Sequence, residues 1–153
     1  MADQATEHMT IAVPPGRCYE VALDIGRYPE WARDIKEADV LERDDAGRPD
    51  RVAFRAAAMG HSARYVLRYD HDGAPGRLAW VLEEGDIMRR LDGEYLFEAV
   101  EGDPGSTAVT YHLEIELAVP LPGFVKRRAE GKIMTTALDE LKRRCEGTAV
   151  DPA

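Results

Sequence analysis

Tyr65, Tyr69, Trp80, Tyr95 and Tyr111 share one phase of a two-residue alternation, so a folded sheet would bring their apolar bodies and polar tips to one face. That is the composition of a small-molecule pocket, in which buried hydroxyls look to ligand or water for partners. Core packing accounts for the rings almost as well. Glu84 continues the phase of Trp80 and Leu82. It would set a carboxylate at one end of such a pocket, where a raised pKa would suit it to general-base work. Gly85-Asp86 follow at once, and if the alternation ends there Glu84 faces water instead.

A C-terminal helix supplies the other candidates. Arg127 falls on its inward stripe, where a guanidinium could hold a carboxylate or enolate oxygen, or else snorkel to solvent or pair with a neighbouring acid. Gly131, one turn on, costs about 1 kcal/mol of helix propensity relative to Ala. Either close packing on the sheet or room for a ligand would offset that cost. Phe54, Leu67, Leu113, Met134 and Leu138 complete the expected ligand-facing set.

Nucleophilic and metal-dependent mechanisms find no support. His8, His61, His71 and His112 are scattered, and no Ser/His/Asp order, HExxH pair, phosphate-binding glycine loop or EF-hand spacing is present, so neither metal nor cofactor is expected. Cys18 and Cys145, far apart and without metal-ligand spacing, read as buried reduced thiols. The 29 acidic against 20 basic residues give a net charge of −9, which disfavours nucleic acid and anionic membrane surfaces as partners. The basic runs Lys126-Arg127-Arg128 and Arg143-Arg144 read as a solvated helix face. No stretch approaches the roughly 18 apolar residues of a membrane span, and Met1 to Thr10 lacks an apolar signal core. A cytoplasmic protein without membrane insertion, monomeric or a weak homodimer, is the expectation.

The elements that would position these residues follow from periodicity. Glu7 to Val13 reads as a strand stopped by Pro14-Pro15-Gly16. Cys18, Val21, Ala22 and Ile25 recur at the helical period before Gly26, and Pro29 in Tyr28-Pro29-Glu30-Trp31 suits the first position of a second, very short helix. From Lys36 to Val119 the period is two, broken by Asp44-Asp45-Ala46-Gly47, Asp72-Gly73-Ala74-Pro75-Gly76 and Gly102-Asp103-Pro104-Gly105. One face of the resulting antiparallel strands is apolar and the other charged, so only the first needs a cover. The helix from roughly Leu121 to Cys145, with Gly147 as its stop, provides it through Phe124, Arg127, Gly131, Met134, Leu138, Leu141 and Cys145. The expected architecture is α+β: a curved antiparallel sheet of about six to seven strands gripping a long C-terminal helix, with two short helices after the first strand. A single domain over residues 1–147 and a flexible tail over 148–153 complete it.

On Tyr28-Pro29-Glu30-Trp31, Leu91-Asp92-Gly93-Glu94-Tyr95 and Pro120-Leu121-Pro122-Gly123-Phe124, the last opening Lys126-Arg127-Arg128-Ala129-Glu130, the chain resembles the START-like helix-grip (SRPBCC) superfamily. Within it the likeness is to the bacterial polyketide cyclase/dehydrase-like branch, over nearly the whole chain. The resemblance implies a cavity between sheet and helix for a hydrophobic ligand such as a lipid, quinone or polyketide, and names no reaction. Three functions stay open. One is binding of a hydrophobic small molecule. Another is a polyketide aromatase/cyclase in which the tyrosines and Arg127 orient enolates and Glu84 is the carboxylate. The last is an interaction protein like the quinone-chaperone and ribosome-associated relatives, the ribosome being disfavoured by the charge.

Overall fold

The computed structural model describes residues 3–58, 61–118 and 122–150. Seven strands form one antiparallel sheet in the order β1-β7-β6-β5-β4-β3-β2: β1 (Asp3–Ile11), β2 (Ile35–Arg43), β3 (Pro49–Ala58), β4 (His61–Asp70), β5 (Arg77–Gly85), β6 (Met88–Val100) and β7 (Asp103–Leu117). Between β1 and β2 lie helix α1 (Pro15–Leu23) and a 3₁₀ helix (Ile25–Glu30), and α2 (Gly123–Val150) closes the chain. The helix-grip expectation is met. Pro29 sits inside the 3₁₀ helix rather than at its first position, because the turn already begins at Ile25. Gly147 does not stop α2, which runs to Val150; residues 151–153 of the expected tail, and Leu121 at the expected helix start, lie outside the described residues.

Alternation does most of the work in the sheet. Tyr65, Leu67 and Tyr69 on β4, Leu91, Tyr95 and Phe97 on β6, and every second residue of β7 from Val109 to Leu117 are buried, while their neighbours face water. The β2–β3 turn is closed by Asp44, whose Oδ1 accepts from the backbone N–H groups of Ala46 (3.0 Å) and Arg48 (2.8 Å), with Gly47 taking the positive φ of 82° that side chains resist.

Two irregularities shape the middle of the sheet. At Gly93 a Cβ would come within 2.7 Å of the His112 carbonyl and 2.8 Å of the Trp80 ring, so glycine there lets the indole lie across β6. Ladder pairing of β5 with β6 runs only from Arg77↔Leu96 to Trp80↔Gly93, after which the Asp92 carboxylate accepts the Leu82 N–H at 2.8 Å. The strands separate beyond Trp80, and a side chain satisfies the amide that the ladder leaves.

Helix α2 packs on the sheet through Ala129, Ile133, Ala137, Leu138, Leu141 and Cys145, all buried or half-buried. Its C-terminal half is fastened by polar links. Lys142 Nζ donates to the Thr10 carbonyl (2.8 Å), Glu146 accepts the Ala12 N–H (2.9 Å), and Arg144 pairs with Glu30 (3.1 Å). At the same corner the free thiols of Cys18 and Cys145 are fully buried against one another. The Cys145 thiol, hydrogen-bonded to Cys18, pulls the Cys18 pKa down against the effect of burial, and the same contact pushes Cys145 up.

Candidate functional site

Beneath the middle of α2 a cavity of about 140 Å³ opens between the sheet, the helix and the segment after the 3₁₀ helix. Strands β3 to β7 supply its wall. Phe54, Tyr65, Leu67, Tyr69, Trp80, Tyr95, Tyr111 and Leu113, all expected to face a ligand, line it together. The rings form two groups: Phe54 stacks on Tyr65 (centroids 5.3 Å, 19°), while in the other Tyr69 leans on Trp80 (6.1 Å), Trp80 on Tyr95 (5.4 Å), and Tyr95 stacks on Tyr111 (4.7 Å, 17°).

The remaining expected residues lie elsewhere. Glu84 is a correction: β4 and β5 pair Val66↔Glu84 and then Leu67↔Leu82, a bulge that leaves Glu83 without an opposite residue. The extra residue turns Glu84 to the outer face, where its side chain is 67% exposed and 3.7 Å from the Arg51 guanidinium. Arg127 and Gly131 are corrections too. Both face solvent, and a Cβ on Gly131 would meet nothing within 4 Å. The expected stripe's C-terminal part, Leu138, Leu141 and Cys145, is buried, whereas in the N-terminal half Ala129 and Ile133 turn inward in place of Arg127 and Gly131. Phe124, from the same stripe, is 67% exposed. Leu138 is buried in the core beside the cavity without lining it, and the side chain of Met134 lies outside the described residues.

Sequence reasoning missed the cavity's other side. Tyr28, Trp31, Ala32 and Ile35 close it from the segment around the 3₁₀ helix, and Ile133, Ala137 and Glu140 from α2. The Tyr28-Pro29-Glu30-Trp31 motif was the available signal. Tyr28 donates to the Ala22 carbonyl at the end of α1, and its ring meets Trp31 edge to face at 5.0 Å. Glu140, at the mouth, accepts the Arg33 N–H at 2.9 Å.

The polar character of the cavity is unusual. Among the described residues, the hydroxyls of Tyr65, Tyr69, Tyr95 and Tyr111 make no hydrogen bond within the protein. None of them is sealed off; among the described residues the sealed and unpartnered side-chain atom is His71 Nδ1. Their residues are buried, so these polar ends open on the cavity. Burial first, then the neighbouring phenols, holds Tyr28, Tyr69 and Tyr111 well above the usual tyrosine range; burial also raises Tyr65 and Tyr95. All five stay protonated at neutral pH. Among the described residues no Lys, Arg or His lines the cavity, and no group of three or more His, Cys, Asp and Glu is placed to hold a metal ion.

A sheet gripping one long helix over an aromatic-walled cavity defines a START-type helix-grip domain. Residues 2–146 match the family described as "Polyketide cyclase / dehydrase and lipid transport", and the chain belongs to that family. Among solved structures it is similar to a START superfamily protein from Mycobacterium smegmatis (21% identity, TM-score 0.86, covering 95% of this chain and 98% of that one). It is also similar to a protein from Thermus thermophilus (26%, 0.79, 97% and 100%). The Zhui aromatase/cyclase from a Streptomyces species shares the fold at 16% identity (TM-score 0.80, 95% and 94%). No curated protein matches the chain.

Proposed function

We propose that this protein binds a hydrophobic small molecule, of lipid, quinone or polyketide-like aromatic type, in the cavity between sheet and α2. The observation that carries this reading is the cavity wall itself, two groups of packed aromatic rings whose four tyrosine hydroxyls have no protein partner among the described residues. A buried phenol left unpaired in the protein is satisfied by water or by a ligand atom, and a core built only for stability has no use for it. Membership of a family described by polyketide and lipid chemistry agrees with that reading. Titration of a panel of quinones, fatty acids and polyketide-like aromatics, followed by Trp80 and Trp31 fluorescence, tests it. Both indoles border the cavity, so a bound ligand changes their emission saturably; no saturable response across the panel overturns the reading.

An aromatase/cyclase reading is favoured by the likeness to the Streptomyces enzyme. It has less to work with in this chain. Glu84 and Arg127, the residues a cyclase would use as carboxylate and enolate clamp, lie outside the cavity, and the raised phenols are poor bases. Unchanged turnover of a polyketide substrate in Glu84→Gln, should turnover occur, assigns the chemistry to other groups.

A further inference from the structure

The cavity's chemistry is one-sided in a way that narrows the class of ligand, an inference that rests on the binding reading above. We propose that the cavity selects a flat, uncharged ligand of one or two rings carrying hydrogen-bond-accepting oxygens, and discriminates against carboxylates and long acyl chains.

Size sets the first limit. An apolar cavity of roughly 150 Å³ holds benzene, so about 140 Å³ accommodates a single ring or a compact bicycle, while a long acyl chain leaves much of its length outside the mouth in water. Shape sets the second. Tyr95 on Tyr111 and Phe54 on Tyr65 are nearly parallel ring pairs, at 17° and 19°, and a wall built of such aligned rings suits a planar guest. Hydrogen bonding sets the third. The four unpartnered phenols keep their protons, and each has an O–H to donate. A carbonyl or ring oxygen on the guest accepts from them; a plain hydrocarbon of the same outline leaves them unpaired.

Charge sets the last limit. A carboxylate brought inside loses its hydration and finds no cation among the described lining residues, and Glu140 stands at the mouth. The groove outside the mouth is balanced, with Arg33, Lys132 and Arg143 against Asp34, Asp139 and Glu140. No net positive field draws an anion in.

Calorimetric titration of the full chain near neutral pH with naphthalene, chromone, 2-naphthoate and decanoate separates these terms. Chromone is expected to bind about tenfold more tightly than naphthalene, and Tyr95→Phe and Tyr111→Phe each to weaken chromone about fivefold while leaving naphthalene unchanged. The 2-naphthoate and decanoate anions bind more weakly than chromone by about tenfold or more. Chromone no tighter than naphthalene, an anion matching or exceeding it, or an unchanged chromone affinity in both variants overturns this inference while leaving the binding reading in place. Absence of binding by all four overturns both.

Discussion

The two faces of the sheet treat polar groups in opposite ways. On the outer face, charged side chains find one another. Glu83 accepts from Arg51 (2.6 Å) and Arg68 (2.9 Å), Arg77 pairs with Glu94 (2.8 Å) and Asp70 (3.2 Å), and Arg90 with Glu114 (3.3 Å). Water covers these pairs, so each contributes little, and losing one costs little. The inner face holds fewer polar atoms, yet leaves four hydroxyls unpaired in surroundings where pairing matters most. The lesson is that partnering on this molecule follows cost poorly, and the departure marks where a guest belongs.

Four outcomes would break or sharpen that contrast. The largest effect is expected on the inner face. Trp80→Ala removes the ring that touches Tyr69, Tyr95 and Tyr111, and urea unfolding should report a loss of about 3–5 kcal/mol. A much smaller loss would mean that the inner wall collapses freely and is no preformed site.

The second effect is alkaline. The phenols of Tyr28, Tyr69 and Tyr111 are raised far above their unfolded value, and those of Tyr65 and Tyr95 are raised as well. Above about pH 10 the unfolded chain therefore releases protons that the folded chain retains, and stability present below that pH is lost as pH rises. Thermal unfolding followed with pH should show a steep fall there, with tyrosinate absorbance appearing together with unfolding. Tyrosinate signal from these residues while the fold persists would contradict their burial.

The outer face should respond weakly. Arg77→Met is expected to cost about 0.2–1 kcal/mol at low salt, less at high salt, because its partners remain solvated. Smallest of all is Tyr95→Phe, which removes a hydroxyl with no protein partner and should change stability by less than about 0.5 kcal/mol, measured by the same unfolding curves. A loss of several kcal/mol would show that the hydroxyl serves the fold rather than a guest.

Much of this was legible in the residues. The period of two places Tyr65, Leu67, Tyr69, Trp80, Tyr95, Tyr111 and Leu113 on one face, and the structure gathers those residues with Phe54 around the cavity. The errors share a cause. Glu84 sits beyond a bulge, and one extra residue reverses every later orientation on the strand. Arg127 and Gly131 follow from extending the stripe of Leu138, Leu141 and Cys145 toward the helix start, where Ala129 and Ile133 are the inward residues. A bulge and the choice of buried helix face are settled by how two elements pack, and neither leaves a mark in local spacing.

By itself the sequence determined the strands and their inner faces, the long closing helix and the absence of catalytic or metal-ligating motifs, because periodicity and turn residues act over a few neighbours. The tertiary structure alone decided which residues meet. It brought Cys18 against Cys145, set Tyr28 and Trp31 opposite the sheet, and turned Glu84, Arg127 and Gly131 to solvent. Those outcomes depend on how the strands and helices pack against one another, a property of the assembled surfaces that no single segment encodes.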